Sequence, residues 1–393
     1  MDDYVIQVVT SPLDVDATTW DALLDSQPFA TPFMRHAYLS ALHASGSACA
    51  RTGWDPRFIL LSDKQGLAAA TVLYIKDHSM GEYVFDWAWA RAYQQHGVPY
   101  YPKGVVAVPF TPVPGSRLLA RDTRARAALA KAMVELSEEW GLSSLHLLFG
   151  TEDDFVACQS AHMQPRHTVQ FHWENSADGY PDFDAFLASL SQEKRKKIRQ
   201  ERRKVQEAGV QFRHATGAAI SAEDWAFFYR CYERTYLEHG NAPYLKPEFF
   251  KRMAQTMPEN WLLFIAEREG HPIASSLIGL GKQGNASKGS QPHARVAYGR
   301  YWGALERVDC LHFEACYYQP LQWCITQGYQ RFEGGAQGEH KMARALLPVK
   351  TSSAHWIAHP EFSNAIANFL ERESQGIENY MDDLETRNPF RKN

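Results

Sequence analysis

WLLFIAEREGHPIASSLIGL (261–280), followed by ARVAYGRYWGAL (294–305), decides the fold. Residues 261–267, 272–280 and 294–305 read as three successive antiparallel strands, rich in apolar, β-branched and aromatic residues. Between the last two lies QGNASKGSQPHA (283–294), whose glycines and serines suit a hairpin tip. Working outward, the apolar spacing predicts helices over 222–238 and 247–256 before these strands. A helix over 311–327 and a strand over Tyr329–Phe332 follow them. The first half has the same grammar. A strand over Tyr4–Val9 precedes a helix starting near Thr18 or Thr19 and another over Pro32–His43. Strands over Arg57–Leu61 and Gly66–Lys76 flank the turn at Asp63–Gly66. The loop 100–119 carries Pro102, Pro109, Pro112 and Pro114, which forbid a long helix. Thr123–Trp140 is a helix stopped by Gly141, and Leu145–Phe149 is a strand. The sequence therefore predicts one α+β unit used twice, with domains at 1–160 and 161–393.

Composition agrees with a folded chain. Of 393 residues, 45% are hydrophobic and 13% aromatic, which excludes disordered and collagen-like structure. Lys and Arg number 41 against 45 Asp and Glu, a net charge of -4, so any pull on nucleic acid must be local. The six Cys form no CxxC pair, which leaves no disulfide framework and no zinc-type spacing. The acidic start MDDYVIQVVT is not a signal peptide, and no run approaches 18 apolar residues. A cytoplasmic chain without a transmembrane segment or metal is expected.

Four stretches carry groups that could do chemistry. QEKRKKIRQERRKVQEA (192–208) holds eight Lys and Arg against three Glu, within a helical stretch predicted over 182–208. Leu187, Leu190, Ile198 and Val205 recur at helical multiples, so one edge packs. The remaining face, including Lys197 and Arg199, can grip phosphates. Its plainer reading is a solvated face with Glu–Arg pairs. GYQRFEGGAQGEHKMARALLPVKTSSAHWI (328–357) is dense in polar groups: Glu333, Gln337, Glu339, His340, Lys341 and Arg344 surround Gly334, Gly335 and Gly338. Carboxylates and donors at the end of a strand suit a site that binds an anionic carrier and deprotonates an amine. In the third stretch, 294–323, strict alternation would put Tyr298, Arg300 and Trp302 on one strand face, where a cation beside rings can clamp a planar or anionic ligand. His312 and Glu314 open the next helix. HSMGEYVFDWAWARAY (78–93) sets His78, Glu82, Asp86 and Arg91 among rings, either as a groove wall or as internally satisfied polar groups. Hydrolase, metalloprotease, NTPase and dehydrogenase signatures are missing.

HSMGEYVFDWAWARAY, YYPKGVVAVPFTPVPGSRLL, LSQEKRKKIRQERRKV, YGRYWGALE, LHFEACYYQ, RFEGGAQGEHKMARALLPV and TSSAHWI together resemble bacterial FemAB-like proteins of the GNAT superfamily. These proteins are labelled as acting in peptidoglycan biosynthesis or recognition, and the likeness runs from about residue 75 to 370. It implies two tandem GNAT-like domains, each a mixed, mostly antiparallel sheet flanked by helices. It also implies an N-acyltransferase moving an acyl or aminoacyl group to an amine of a small molecule or peptide, with no tightly bound cofactor. Fem catalysts take amino acids from aminoacyl-tRNA to lipid-linked precursors, and other superfamily members use acyl-CoA. The pyrophosphate loop expected before the 311–327 helix is replaced by the glycine-free ERVDCL (306–311). Arg331-x-x-Gly334-x-Ala336 fits that loop only formally, since Pro348 cuts short the helix behind it. From strand-end position and residue chemistry, Glu333 or His340 is expected to be the base and Tyr298 to protonate the leaving group. Arg300, Lys341 and Arg344 hold donor phosphates or an acceptor carboxylate, with Trp302, Gly334, Gly335 and Gln337 around them, and Lys197 and Arg199 face tRNA. The rival expectation is a non-catalytic double-GNAT protein that binds cell-wall peptide or nucleic acid.

Overall fold

A computed structural model describes residues 4–282, 294–335 and 338–391. The predicted hairpin tip at 283–294 lies almost wholly outside the described residues, as does Gln337. The strands are β1 (Val5–Val9), β2 (Asp55–Asp63), β3 (Gly66–Lys76), β4 (Lys103–Val106), β5 (Leu119–Ala120), β6 (Ser144–Leu148), β7 (Gln164–Glu174), β8 (Val210–Thr216), β9 (Trp261–Arg268), β10 (His271–Lys282), β11 (Arg295–Ala304), β12 (Arg331–Glu333) and β13 (Leu347–Ile357). The helices are α1 (Ala17–Asp25), α2 (His36–Ala44), α3 (Trp87–Gln95), α4 (Thr123–Glu139), α5 (Glu152–Ser160), α6 (Phe183–Ser189), α7 (Gln192–Glu207), α8 (Ala222–Glu238), α9 (Pro247–Thr256), α10 (Leu311–Phe313), α11 (Gln319–Thr326) and α12 (Pro360–Thr386). Two compact units result: residues 4–168 with 350–380, and residues 169–282, 294–335 and 338–349 with 381–391.

In the first unit β1, β2, β3 and β4 pair antiparallel in sequence order. The chain then crosses over through α4 and returns as β6, parallel to β4. β13 closes the sheet antiparallel to β6. Asp122 starts α4 by accepting the Ala125 amide at 2.8 Å, one of the donors a helix start leaves unpaired. Leu129, Ala130 and Met133 then bury one stripe of α4 against Ile59, Leu61, Leu73, Leu145 and Leu147.

The second unit repeats the topology. β8, β9, β10 and β11 form an antiparallel meander. α10, a π-helical turn (Glu314–Tyr318) and α11 cross over to β12, which is parallel to β11, and β7 closes the sheet antiparallel to β12. A capping box starts α8: Ser221 and Asp224 each accept the other's amide, at 3.1 and 3.3 Å. Trp225, Phe228 and Tyr232 of α8 pack on Phe250 of α9, and Tyr232 and Phe250 also meet Tyr301 of β11. Repeated use of one mixed, mostly antiparallel α+β unit is as the sequence predicts. The predicted single helix over 182–208 is two, broken at Leu190 and Ser191, where the backbone turns extended. α5, β13 and α12 are elements that the sequence pattern does not announce.

Candidate active site

Three buried polar side chains form a row across adjacent strands of the second unit. Tyr298 of β11 sits opposite Glu333 of β12, and Glu333 opposite His172 of β7. All three are at most 4% exposed. Opposed residues in a sheet project to the same side, so this pairing brings a phenol, a carboxylate and an imidazole together. Glu333 is 4.0 Å from His172 Nε2 and 3.9 Å from Arg331 Nη1 through its two oxygens. Burial above all, then the charges of Arg331 and Lys341, pushes His172 down to about 3, so its ring is neutral at neutral pH. Its Nε2 lies 3.2 Å from Gln170 Oε1, an acceptor, which assigns the proton to Nε2. Burial, reinforced by the Glu333 charge, holds Tyr298 well above an ordinary phenol and therefore protonated.

Just past β12 the chain needs glycine. A Cβ at Gly334 would overlap the Leu346 side chain, and Gly335 has φ of 85°. The buried Lys341 ammonium donates to the Gly335 carbonyl at 2.8 Å. Burial lowers it to about 8. His340 is exposed, with Nε2 3.1 Å from the Tyr317 hydroxyl. Burial of its inner edge and the Arg344 and Lys341 charges lower it. Arg344 is buried and donates to both Glu201 oxygens at 3.0 and 2.8 Å and to the His340 carbonyl at 2.6 Å. Its guanidinium also lies 3.5 Å from the centre of the Phe313 ring.

Strict alternation in β11 fails. Leu277 pairs with Tyr301 and Ile278 with Gly299, so Arg300 is an extra residue, a β-bulge. Trp302 pairs with Ser276 and Tyr298 with Gly279, positions three apart on β10, which places these two rings on opposite faces. The expectation of one shared face is therefore corrected. Arg300 turns onto Tyr301, donating to its hydroxyl at 3.1 Å, while Trp302 packs near His312. Lys197 and Arg199 lie on α7 as exposed cations, Arg199 within 3.5 Å of Asp184.

Sequence reasoning misses His172, Glu201 and Tyr317 as site-forming groups. Glu201 carries a signal: it falls three residues after Ile198 and four before Val205, on the buried edge of the basic helix. Only the partner strands reveal His172.

In the first unit the groups of the 78–93 stretch are mostly internal. Lys103 donates to Ser79 at 2.8 Å, to Glu82 at 2.9 Å and to Asp86. Tyr100 donates to Asp86 at 2.7 Å, His146 stands 3.2 Å from Tyr100, and His355 stands 2.8 Å from His146. Arg91 is exposed. Among the described residues no group of three His, Cys, Asp or Glu is placed to hold a metal, and no helix is long and apolar enough to cross a membrane.

A meander of antiparallel strands, a helical crossover and a parallel return, present twice, define a double GNAT-like protein. The chain belongs to the FemAB-like family, described as peptidoglycan biosynthesis/recognition, whose model matches residues 11–392. Among solved structures it is similar to FemX, with a TM-score of 0.54 at 10% identity, covering 92% of this chain and 100% of that one. It is also similar to L-PGS from Bacillus licheniformis, with a TM-score of 0.52 at 12% identity, covering 90% and 97%. The C-terminal domain of a putative lysylphosphatidylglycerol synthetase from Agrobacterium fabrum gives a TM-score of 0.52 at 9% identity, covering 92% and 97%. At these identities the likeness concerns the fold. No curated sequence matches the chain.

Proposed function

We propose that the second unit transfers an aminoacyl group from an RNA-borne ester to an amine of a cell-wall peptide precursor. The observation that carries this reading is the row Tyr298–Glu333–His172, which sets a carboxylate beside a protonated phenol at the end of a strand. The amine nitrogen attacks the ester carbonyl carbon, forming a C–N bond, and its proton passes to Glu333. The C–O bond to the carrier then breaks, Tyr298 gives its proton to the departing oxygen and regains one from Glu333, which restores both groups. Neutral His172 presents its Nε2–H beside Glu333 and keeps that carboxylate oriented without neutralising it. On this reading Lys341, whose charge acts on His172, and His340 are the donors for the developing oxyanion. Two features favour an RNA carrier over acyl-CoA. One is the five exposed cations of α7: Lys196, Lys197, Arg199, Arg203 and Lys204. The other is the glycine-free ERVDCL before α10. The family description supports a cell-wall acceptor.

The non-catalytic reading draws support from one observation, the engagement of Arg344 by Glu201 inside the protein. Transfer assays with charged tRNA and a lipid-linked peptide acceptor separate the two. Glu333→Gln is expected to lower turnover by about 10²–10⁴-fold while unfolding at the same temperature. Full turnover in that variant removes Glu333 as the base, and absence of transfer by the unaltered chain favours the binder.

A further inference from the structure

α7 has two faces with different tasks. Ile198, Glu201 and Val205 are buried, three and four residues apart, whereas Lys196, Lys197, Arg199, Arg203 and Lys204 face solvent. A lone carboxylate on the packed edge of so basic a helix is costly to bury unless it is paired. Glu201 is fully used. It accepts two hydrogen bonds from Arg344 Nη2, at 3.0 and 2.8 Å, and a third from the Tyr318 hydroxyl. Arg344 in turn donates through Nη1 to the main-chain carbonyl of His340 at 2.6 Å. The neighbouring Arg202 makes a parallel link, reaching both oxygens of Glu314 at 3.1 and 3.2 Å. Glu314 opens the π-helical turn that ends in Tyr317 and Tyr318, and Tyr317 meets His340 Nε2. Both routes from α7 therefore end at His340, one at its main-chain carbonyl and the other at its ring.

We propose that Glu201 is a positioning residue that couples occupancy of the cationic face of α7 to the placement of His340, through Arg344. The coupling rests on the reading that a polyanionic carrier binds α7. A helix moves as a rigid rod, so a shift that improves phosphate contact on its outer face carries Glu201 and Arg202 with it. Arg344 follows Glu201 because its alternative is an unpaired buried guanidinium. His340 follows Arg344 because its carbonyl is one of that guanidinium's acceptors. The site would then be set when the carrier is bound and relaxed when it is not.

Bulk tRNA and the full chain suffice for the test, with the His340 ring signal followed by NMR and assigned through His340→Gln. In the unaltered chain tRNA is expected to move that signal. In Glu201→Gln tRNA should still bind, with the same salt dependence, but the His340 signal should no longer respond. Transfer should fall on the order of tenfold to a hundredfold in kcat with little change in KM for the donor. Val205→Ala, which loosens the same helix edge but leaves the ion pair, should keep the response. The coupling is overturned by a response that persists in Glu201→Gln, or by equal loss in Val205→Ala. If tRNA does not bind the unaltered chain, the RNA-carrier reading fails. Positioning is then decided without RNA by the His340 titration in Glu201→Gln. A lowered midpoint supports it, because Arg344 then faces His340 uncompensated, and an unchanged midpoint overturns it.

Discussion

Lys103→Met probes the buried charge cluster of the first unit. Lys103 is completely buried and donates to Ser79, Glu82 and Asp86. Removing it leaves two buried carboxylates facing one remaining cation, Lys76, which is 3.7 Å from Glu82. Breaking a buried pair on one side costs about 3–5 kcal/mol. For a unit of this size 1 kcal/mol moves the midpoint by about 2–4 °C, so a fall of about 6–20 °C is expected. The loss should depend on pH with a definite sign. Burial already raises Glu82 to about 7, and its stabilising contribution is complete below its ordinary range near 4.5 and lost as pH rises through 7. Without Lys103 both carboxylates rise, so protonation relieves the strain and the defect shrinks between pH 8 and pH 5.5. Thermal unfolding at those two pH values measures this, with Lys131→Met, at an exposed helix pair, as the control. A Lys103→Met defect no larger than the control, or one that grows on acidification, refutes the reasoning.

Three further outcomes are expected. Lys341→Met should raise stability at pH 6–7 by up to about 3 kcal/mol, less the hydrogen bond to Gly335, while lowering transfer. Lys341 is lowered to about 8, so the folded state loses stability as pH falls toward that value, and in thermal unfolding the advantage of Met should vanish above pH 10. Substituting Lys197 and Arg199 by Gln should flatten the salt dependence of tRNA binding by about one in logarithmic slope for each phosphate no longer neutralised, as read by filter binding across salt concentrations. Gly303→Ala should cost stability at any pH, because a Cβ there would run into the Cys231 main-chain carbonyl of α8; a normal unfolding temperature would show that β11 and α8 can part.

Local signals make most of the elements legible and leave the site half hidden. α8 and α9 begin and end where the apolar spacing predicts. β3 spans the predicted Gly66–Lys76. Glu333, His340 and Lys341 stand out because polar groups gather beside glycines after an apolar strand. The failures have one physical source, register. Nothing in YGRYWGA announces the extra residue at Arg300, which is defined only against β10. His172 gains its meaning from lying opposite Glu333, and β7 and β12 are far apart in the chain. Leu190 and Ser191 break the predicted 182–208 helix ahead of the basic stretch, with an extended backbone that helix propensity alone does not mark. In 78–93 the carboxylates turn inward and Phe85 and Trp87 outward, the reverse of the usual rule, because Lys76 and Lys103 provide cations inside.

The duplicated topology permits a comparison of the polar rows that the two units carry on corresponding strands. In the first unit the row across β4, β6 and β13 is Val105, His146 and His355. In the second it is Tyr298, Glu333 and His172. The parallel return strand and the closing strand thus carry polar groups in both, and a histidine occupies the closing strand each time. Their surroundings part them. His146 and His355 are bonded to each other, to Tyr100 and to Ser144 and Ser353, and burial drives both well below the usual imidazole range. Every ring nitrogen there has a partner inside the protein, so that row is spent on holding the unit together. Glu333 lies 4.0 Å from His172 and 3.9 Å from Arg331, and Gly334 and Gly335 follow it at once, with the Leu346 side chain packed against Gly334. An amine that gives up a proton needs a carboxylate or another base to accept it. Under the proposed reaction the row of the second unit offers a carboxylate to an amine, whereas the row of the first unit has its imidazoles bonded within the protein.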